Sequence, residues 1–159
     1  MRRGLGPGRV IVGVGAVLAI IGAFLPWSYA GGGDAALPRV TSNAFDGPGV
    51  AMFVAAVALL GLLILPYATS SGRSTLDRWL SYVILGGIMV VATVLQVIQL
   101  IPGGALKLTP PLDVLGLYLG VIGTLLVAWG VAEIVNEEAR TRAAGGPRHM
   151  TTFRPPRRK

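Results

Sequence analysis

Few side chains in this 159-residue chain are of a type that does chemistry, and their placement limits what chemistry that is. Gln96 and Gln99 lie three residues apart in an otherwise apolar run, a spacing that puts them on one face of a helix. Facing inward, with Thr93 and Thr124 within reach, they would hydrogen-bond between helices at about 0.6 kcal/mol each; the alternative is a polar path for a solute. Asp113 and Glu133 bracket a later apolar run. Asp113 falls in a first turn, where the helix dipole stabilises an anion, and Glu133 falls near the opposite surface. Neither sits at mid-depth, where a transporter coupled to protons or cations holds its ionisable group. The single histidine, His149, stands in a basic, proline-containing tail without a second ligand nearby, and cysteine is absent. A catalytic triad needs a positioned histidine, thiol chemistry and thiolate metal sites need cysteine, and Gly4-x-Gly6-x-Gly8 follows no strand that would make it a phosphate loop. The expectation is a non-enzymatic protein with no cofactor and no metal.

The elements that carry these residues are four long apolar runs, at 10–27, 49–67, 79–101 and 112–135, none with a charge in its middle. A helix rises about 1.5 Å per residue, so each covers most of a hydrocarbon core about 30 Å thick. Hydrophobic residues make up 53% of the chain and charged residues 13%, and the mean hydropathy is +0.68. Soluble domains carry about a quarter charged residues, so a water-soluble fold of this chain would have little with which to cover its surface. The fold class expected is all-α: an integral membrane four-helix bundle spanning 10–135. It is preceded by a basic segment, 1–9, and followed by a helical extension, 136–146, and a disordered basic tail, 147–159.

The net charge of +7 is unevenly distributed. If all four runs span, Arg2, Arg3, Arg9, Arg73, Arg78 and the basic residues of the C-terminal segment fall on one side, and only Arg39 and Lys107 on the other. Lys and Arg near short loops stay on the cytoplasmic side during insertion, which predicts a multi-pass protein of the cell membrane with both termini in the cytoplasm. The first run also has the plan of a secretory leader, with Ser28-Tyr29-Ala30 as a small-residue cleavage site. Its length and its place in a closed set of four spans favour retention. In the tail, Arg154, Arg157, Arg158 and Lys159 are expected at anionic lipid headgroups, at about 1 kcal/mol per charge. The bilayer is thus the expected partner, and nucleic acid is not.

Local signals mark the connections. The longest, from Ser28 to Pro48, is rich in Gly, Pro, Ser and Asn; its segment 37–45 could form one strand, which needs the loop to fold back on itself for a partner. Asp46 is placed to cap the second helix, Pro66 to stop or kink it, and Ser74-x-x-Asp77 to form a capping box for the third. Trp27, Tyr67, Trp79, Tyr82 and Trp129 are expected as anchors at the two membrane–water boundaries. Small residues stripe the runs: Gly15, Ala19 and Ala23; Ala51, Ala55, Ala58 and Gly61; Gly116, Gly120 and Gly123. In lipid such residues let helix backbones approach closely, either inside the bundle or at a seam with a membrane-protein partner or a second copy.

On Leu25-Pro26-Trp27, the Gly-rich loop and Asp46-Gly47-Pro48-Gly49, the chain resembles small four-span membrane proteins common in actinobacteria. The resemblance implies a fold and a location, and no activity. Claudins share a first-loop Trp, but their paired loop cysteines are missing here. The functional expectation is an accessory or scaffold subunit that works by contact, through its long outer loop and its helix packing. The alternative is a small transporter or channel with a polar path at Gln96 and Gln99.

Overall fold

The computed structural model describes residues 6–30, 40–68, 79–101 and 113–144. The segment Ser74–Asp77, the tail with Arg154, Arg157, Arg158 and Lys159, and the side chain of Tyr67 lie outside the described residues. Four helices account for most of the remainder: α1, Pro7–Phe24; α2, Gly49–Ala68; α3, Trp79–Leu100; and α4, Leu115–Ala144. Two short strands, β1 (Ser28–Ala30) and β2 (Val40–Ser42), and a 3-10 turn at Ala44–Asp46 lie between α1 and α2. Three of the helices, α1, α3 and the Leu115–Arg140 part of α4, are long and apolar enough to cross a membrane.

The helix bounds follow local chemistry. α1 starts at Pro7, three residues earlier than its apolar run suggests, because proline loses nothing at the first helical position. It ends at Phe24, short of the expected 27: Leu25 precedes a proline and takes extended angles (φ −89°, ψ 162°), the region a proline ring favours in its predecessor. α2 runs two residues past Pro66 to Ala68. α4 begins three residues later than expected and continues unbroken through Glu137, Glu138 and Arg140 to Ala144.

The helices neighbour one another in chain order, and α4 closes the ring against α1. That last pair is the tightest. Gly8, Gly15 and Gly22 of α1 face Gly130, Gly123 and Gly116 of α4 in antiparallel order, and both sets repeat every seven residues. A Cβ added at Gly15 would lie 2.7 Å from the Gly123 carbonyl oxygen, and one at Gly22 would lie 2.6 Å from the Gly120 nitrogen. The backbones therefore touch, at points seven residues apart along both helices.

Large side chains face out. Val10, Val14, Val17, Ile21 and Phe24 form one exposed stripe of α1; Val50, Val54, Val57 and Ile64 form another on α2; Tyr118, Ile122, Leu125 and Trp129 form a third on α4. Inside lie Ala16, Ala19, Ala23, Ala55 and Ala56, with Met52, Leu59, Tyr82, Met89 and Val127 filling the spaces between. Small-inside and large-outside is the order expected where lipid solvates the sides, since burying apolar bulk from hydrocarbon gains nothing and close backbone packing does.

Candidate functional site

The described non-helical backbone is concentrated at one end of the bundle, between α1 and α2, and its hydrogen bonds are supplied by the chain itself. Trp27 is the centre of this cap. Pro26 turns the chain inward, and the Trp27 side chain is fully buried. Its indole Nε1–H donates to the Gly22 carbonyl at 2.8 Å, and its backbone N–H donates to the Ser42 carbonyl, also at 2.8 Å. The ring lies on Gly120, where a Cβ would come within 2.5 Å of Cζ2. Gly116 N–H donates to the Pro26 carbonyl at 3.0 Å and ties the same corner to α4. The expectation of a boundary anchor at Trp27 is corrected: the residue plugs the bundle, because Gly120 leaves room for an indole and the α1 carbonyls there have lost their helical partners.

Beyond Trp27 the loop does fold back. β1 and β2 pair antiparallel, with Ser28 opposite Ser42, Tyr29 opposite Thr41 and Ala30 opposite Val40. The chain then enters the 3-10 turn through a reciprocal box. Asn43 N–H donates to Asp46 Oδ2 at 2.9 Å, and Phe45 N–H donates to Asn43 Oδ1 at 2.9 Å. The Asn43 N–H, followed by the Ser42 side chain, holds the exposed Asp46 carboxyl below its ordinary pKa of 3.8, while burial opposes this. Asp46 is therefore committed to the turn, and the expectation that it caps α2 is corrected.

Gln96, at the far end of α3, caps α2 instead. Its Oε1 accepts from the Gly49 N–H at 2.9 Å in a buried bond. Gly49 Cα packs against Ala44, where a Cβ would come within 2.5 Å of the Ala44 carbonyl. The next two donors of α2, Val50 and Ala51, bond to the Gly47 and Pro48 carbonyls at 3.3 and 3.0 Å. Gln99 is exposed and its amide oxygen lies against Gly47, 3.1 Å from where a Cβ would stand. The two glutamines share a helix end without lining one enclosed path.

Deeper in the bundle Thr93 Oγ1 and Thr124 Oγ1 are 2.9 Å apart across α3 and α4. Each also lies within bonding distance of its own helix, Thr93 of the Met89 carbonyl at 2.9 Å and Thr124 of the Gly120 carbonyl at 2.8 Å. A hydroxyl carries one proton, so two protons serve three contacts and, in any one arrangement, one of the three lacks a proton of its own. The pair borders a shallow, otherwise apolar groove of about 360 Å³ that includes Val97, Val121 and Ala128. Among the described residues no three His, Asp or Glu side chains gather where a metal could sit.

The small residues expected at helix contacts divide. Gly15, Ala19, Ala23, Gly116, Gly120 and Gly123 are buried, the glycines at the α1–α4 seam. Ala55 is buried and Ala58 half-buried, but Ala51 and Gly61 are exposed, and nothing stands within 4 Å of a Cβ at Gly61. This corrects the in-bundle reading of that α2 face at Ala51 and Gly61, since the inner side is set by Met52, Ala55, Ala56 and Leu59. Of the aromatic anchors, Trp129 is 68% exposed, Trp79 is half-buried, and Tyr82 is 1% exposed and so belongs to the core.

Two features have little or no local sequence signal. Phe24, Phe45 and Phe53, from α1, the 3-10 turn and α2, form an aromatic trio with ring centres 5.2–5.6 Å apart. Their separation along the chain hides it. Gly8, Gly22 and Gly130 complete the seam; a seven-residue spacing would reveal them, whereas a spacing of four stops at Gly15, Ala19 and Ala23. No protein-family model matches this chain, and neither a curated protein nor a solved structure matches it.

Proposed function

We propose that the chain is a non-enzymatic, four-span protein of the cell membrane, with both termini in the cytoplasm, that serves a membrane complex as an accessory or scaffold subunit. Its capped end is the outer one and is the surface a partner recognises. The observation that carries this reading is the construction of the cap. Trp27, the β pair, the Asn43–Asp46 box and Gln96 tie the described non-helical surface to the ends of the helices through hydrogen bonds. Rigid presentation of a surface lowers the ordering cost of binding, and a mere connection between two spans needs none of it. The basic ends set the orientation by the positive-inside rule. The bilayer is the first partner, and a membrane protein or a second copy is the next.

The transporter reading gains little from this geometry, since Gln96 Oε1 is occupied by the α2 backbone. Photocrosslinking in cells from Thr41, exposed on β2, tests the proposal. Discrete protein adducts are expected from Thr41 and not from Val54 on the side of α2. Adducts to lipid alone, from a protein that still melts cooperatively after extraction, would refute a contact role for the cap.

A further inference from the structure

The contact between α1 and α2 is filled toward the cap and open toward the other end. Near the cap, Phe24 of α1 meets Phe53 of α2 edge-on, with ring centres 5.6 Å apart, and Phe45 packs on both. At the opposite end the same two helices leave an open groove of about 530 Å³. A Cβ at Gly13 would meet Leu63 Cδ1 at 3.4 Å, an ordinary contact, so the space there comes from the missing side chain. Val17 and Leu60 stand at the deep end of the groove, the exposed Ile64 on its rim and Arg9 at its mouth.

Its length and its charge together say what fits. From Arg9 to Val17 is about 12 Å along α1, close to the depth of one leaflet in a core about 30 Å thick. Arg9 is the one charged residue among those described that line the groove, and no carboxylate lines it. The segments that continue from this end carry more cations, Arg2 and Arg3 before α1 and Arg73 and Arg78 after α2. A half-buried arginine such as Arg9 keeps its stem on apolar surface and its head among the headgroups. Arg9 also has a contact within the protein; a guanidinium has enough N–H donors to hold a phosphate as well.

We infer that this groove seats an acyl chain of an anionic phospholipid, with the lipid phosphate on Arg9. The headgroup is net negative because a zwitterionic one brings its own cation to an end of the molecule already rich in arginine. The aromatic contact fills the other half of the same interface, so the seat belongs to the leaflet on the Arg9 side, the cytoplasmic one in the proposed topology. The inference rests on the membrane-spanning reading and adds to it a lipid class and a place.

Because the chain has no cysteine, a single bimane fluorophore tests this in the full-length protein reconstituted into phosphatidylcholine vesicles. It is attached at Ile64→Cys, on the groove's rim, or at Ile122→Cys, on the exposed stripe of α4. Phosphatidylglycerol or phosphatidylcholine with a nitroxide on one chain is then added in rising mole fraction. At 64, half-quenching is expected at a fraction about fivefold lower for phosphatidylglycerol, the factor that corresponds to about 1 kcal/mol for one charge near the lipid surface. At 122 the two lipids should quench alike. Arg9→Gln should bring the two curves at 64 together and Arg9→Lys should keep them apart. Gly13→Leu, which fills the groove with Arg9 intact, should also merge them at unchanged helical circular dichroism, so the seat is tested even if Arg9→Gln folds poorly. Equal curves at 64 in the otherwise unsubstituted chain, the same preference at 122, or a preference that survives both Arg9→Gln and Gly13→Leu overturns the inference and leaves the spans intact. Absence of quenching by either lipid at both positions overturns the membrane-spanning reading with it.

Discussion

Adding one methyl group at Gly15 should destabilise the bundle, whereas the same change at Gly61 should not. A Cβ at Gly15 would stand 2.7 Å from the Gly123 carbonyl oxygen, 2.8 Å from Val127 N and 2.9 Å from Leu126 Cβ, where ordinary contact begins at 3.4 Å. Two of these three atoms are backbone, so no side chain can swing aside. The helices must part by about 0.7 Å, and a gap of that size forfeits about a quarter to a half of each dispersion contact along the seam. Overpacking of this kind costs about 1–3 kcal/mol. Opposing it, alanine is the better helix former by about 1 kcal/mol. The close backbone contacts put the steric cost at the upper end, leaving a net loss of up to about 2 kcal/mol for Gly15→Ala. At Gly61 and Gly87 nothing lies within 4 Å, so only the propensity gain remains there. Gly15 and Gly123 touch, so the double substitution should cost less than the sum of the singles, the first having already parted the helices. The assay is loss of helical circular dichroism against denaturing detergent, at matched protein and mild-detergent concentrations. If Gly15→Ala unfolds together with Gly61→Ala, at or beyond the unsubstituted chain, the α1–α4 seam is not where these backbones meet and the reasoning fails.

Three further outcomes follow from the cap. Trp27→Phe keeps most of the bulk but removes the indole bond to the Gly22 carbonyl, a loss of about 1 kcal/mol; Trp27→Ala empties the plug, at about 3–5 kcal/mol, both read from the same unfolding curves. Gln96→Leu leaves the buried Gly49 N–H without its acceptor. It should cost about 1–3 kcal/mol and speed hydrogen exchange at Gly49 selectively, whereas a transporter with a path at Gln96 and Gln99 would show altered solute flux in folded protein. The Asp46 carboxyl is held below its ordinary 3.8, so its contribution to the turn is present above that value and is lost as pH falls through the lowered one. Hydrogen exchange at Asn43, corrected for its intrinsic pH dependence, should therefore stay protected from neutral pH down to about 4 and open only in stronger acid, and Asp46→Asn should abolish that acid transition.

Much of the fold is legible in the sequence because hydropathy and span length are local properties. The run 10–25 is apolar whatever it packs against, and Pro26 biases Leu25 out of the helix. The heptad of Gly8, Gly15 and Gly22, with its counterpart at Gly116, Gly123 and Gly130, is also written in the chain, although only at a spacing of seven. What the sequence alone determined, then, is that these helices have apolar sides, where they begin and stop to within a few residues, and that small residues would let some of them touch. The tertiary structure decided which small residues do so. Ala51 and Gly61 are exposed because α2 turns Met52, Ala55, Ala56 and Leu59 into the core. It also decided that Trp27 is a plug and no anchor, that Asp46 serves its own turn, and that α2 is capped by a glutamine 47 residues away. Trp27 against Gly120 and Gln96 against Gly49 are contacts between segments far apart in the chain, and no single stretch of sequence encodes their closeness.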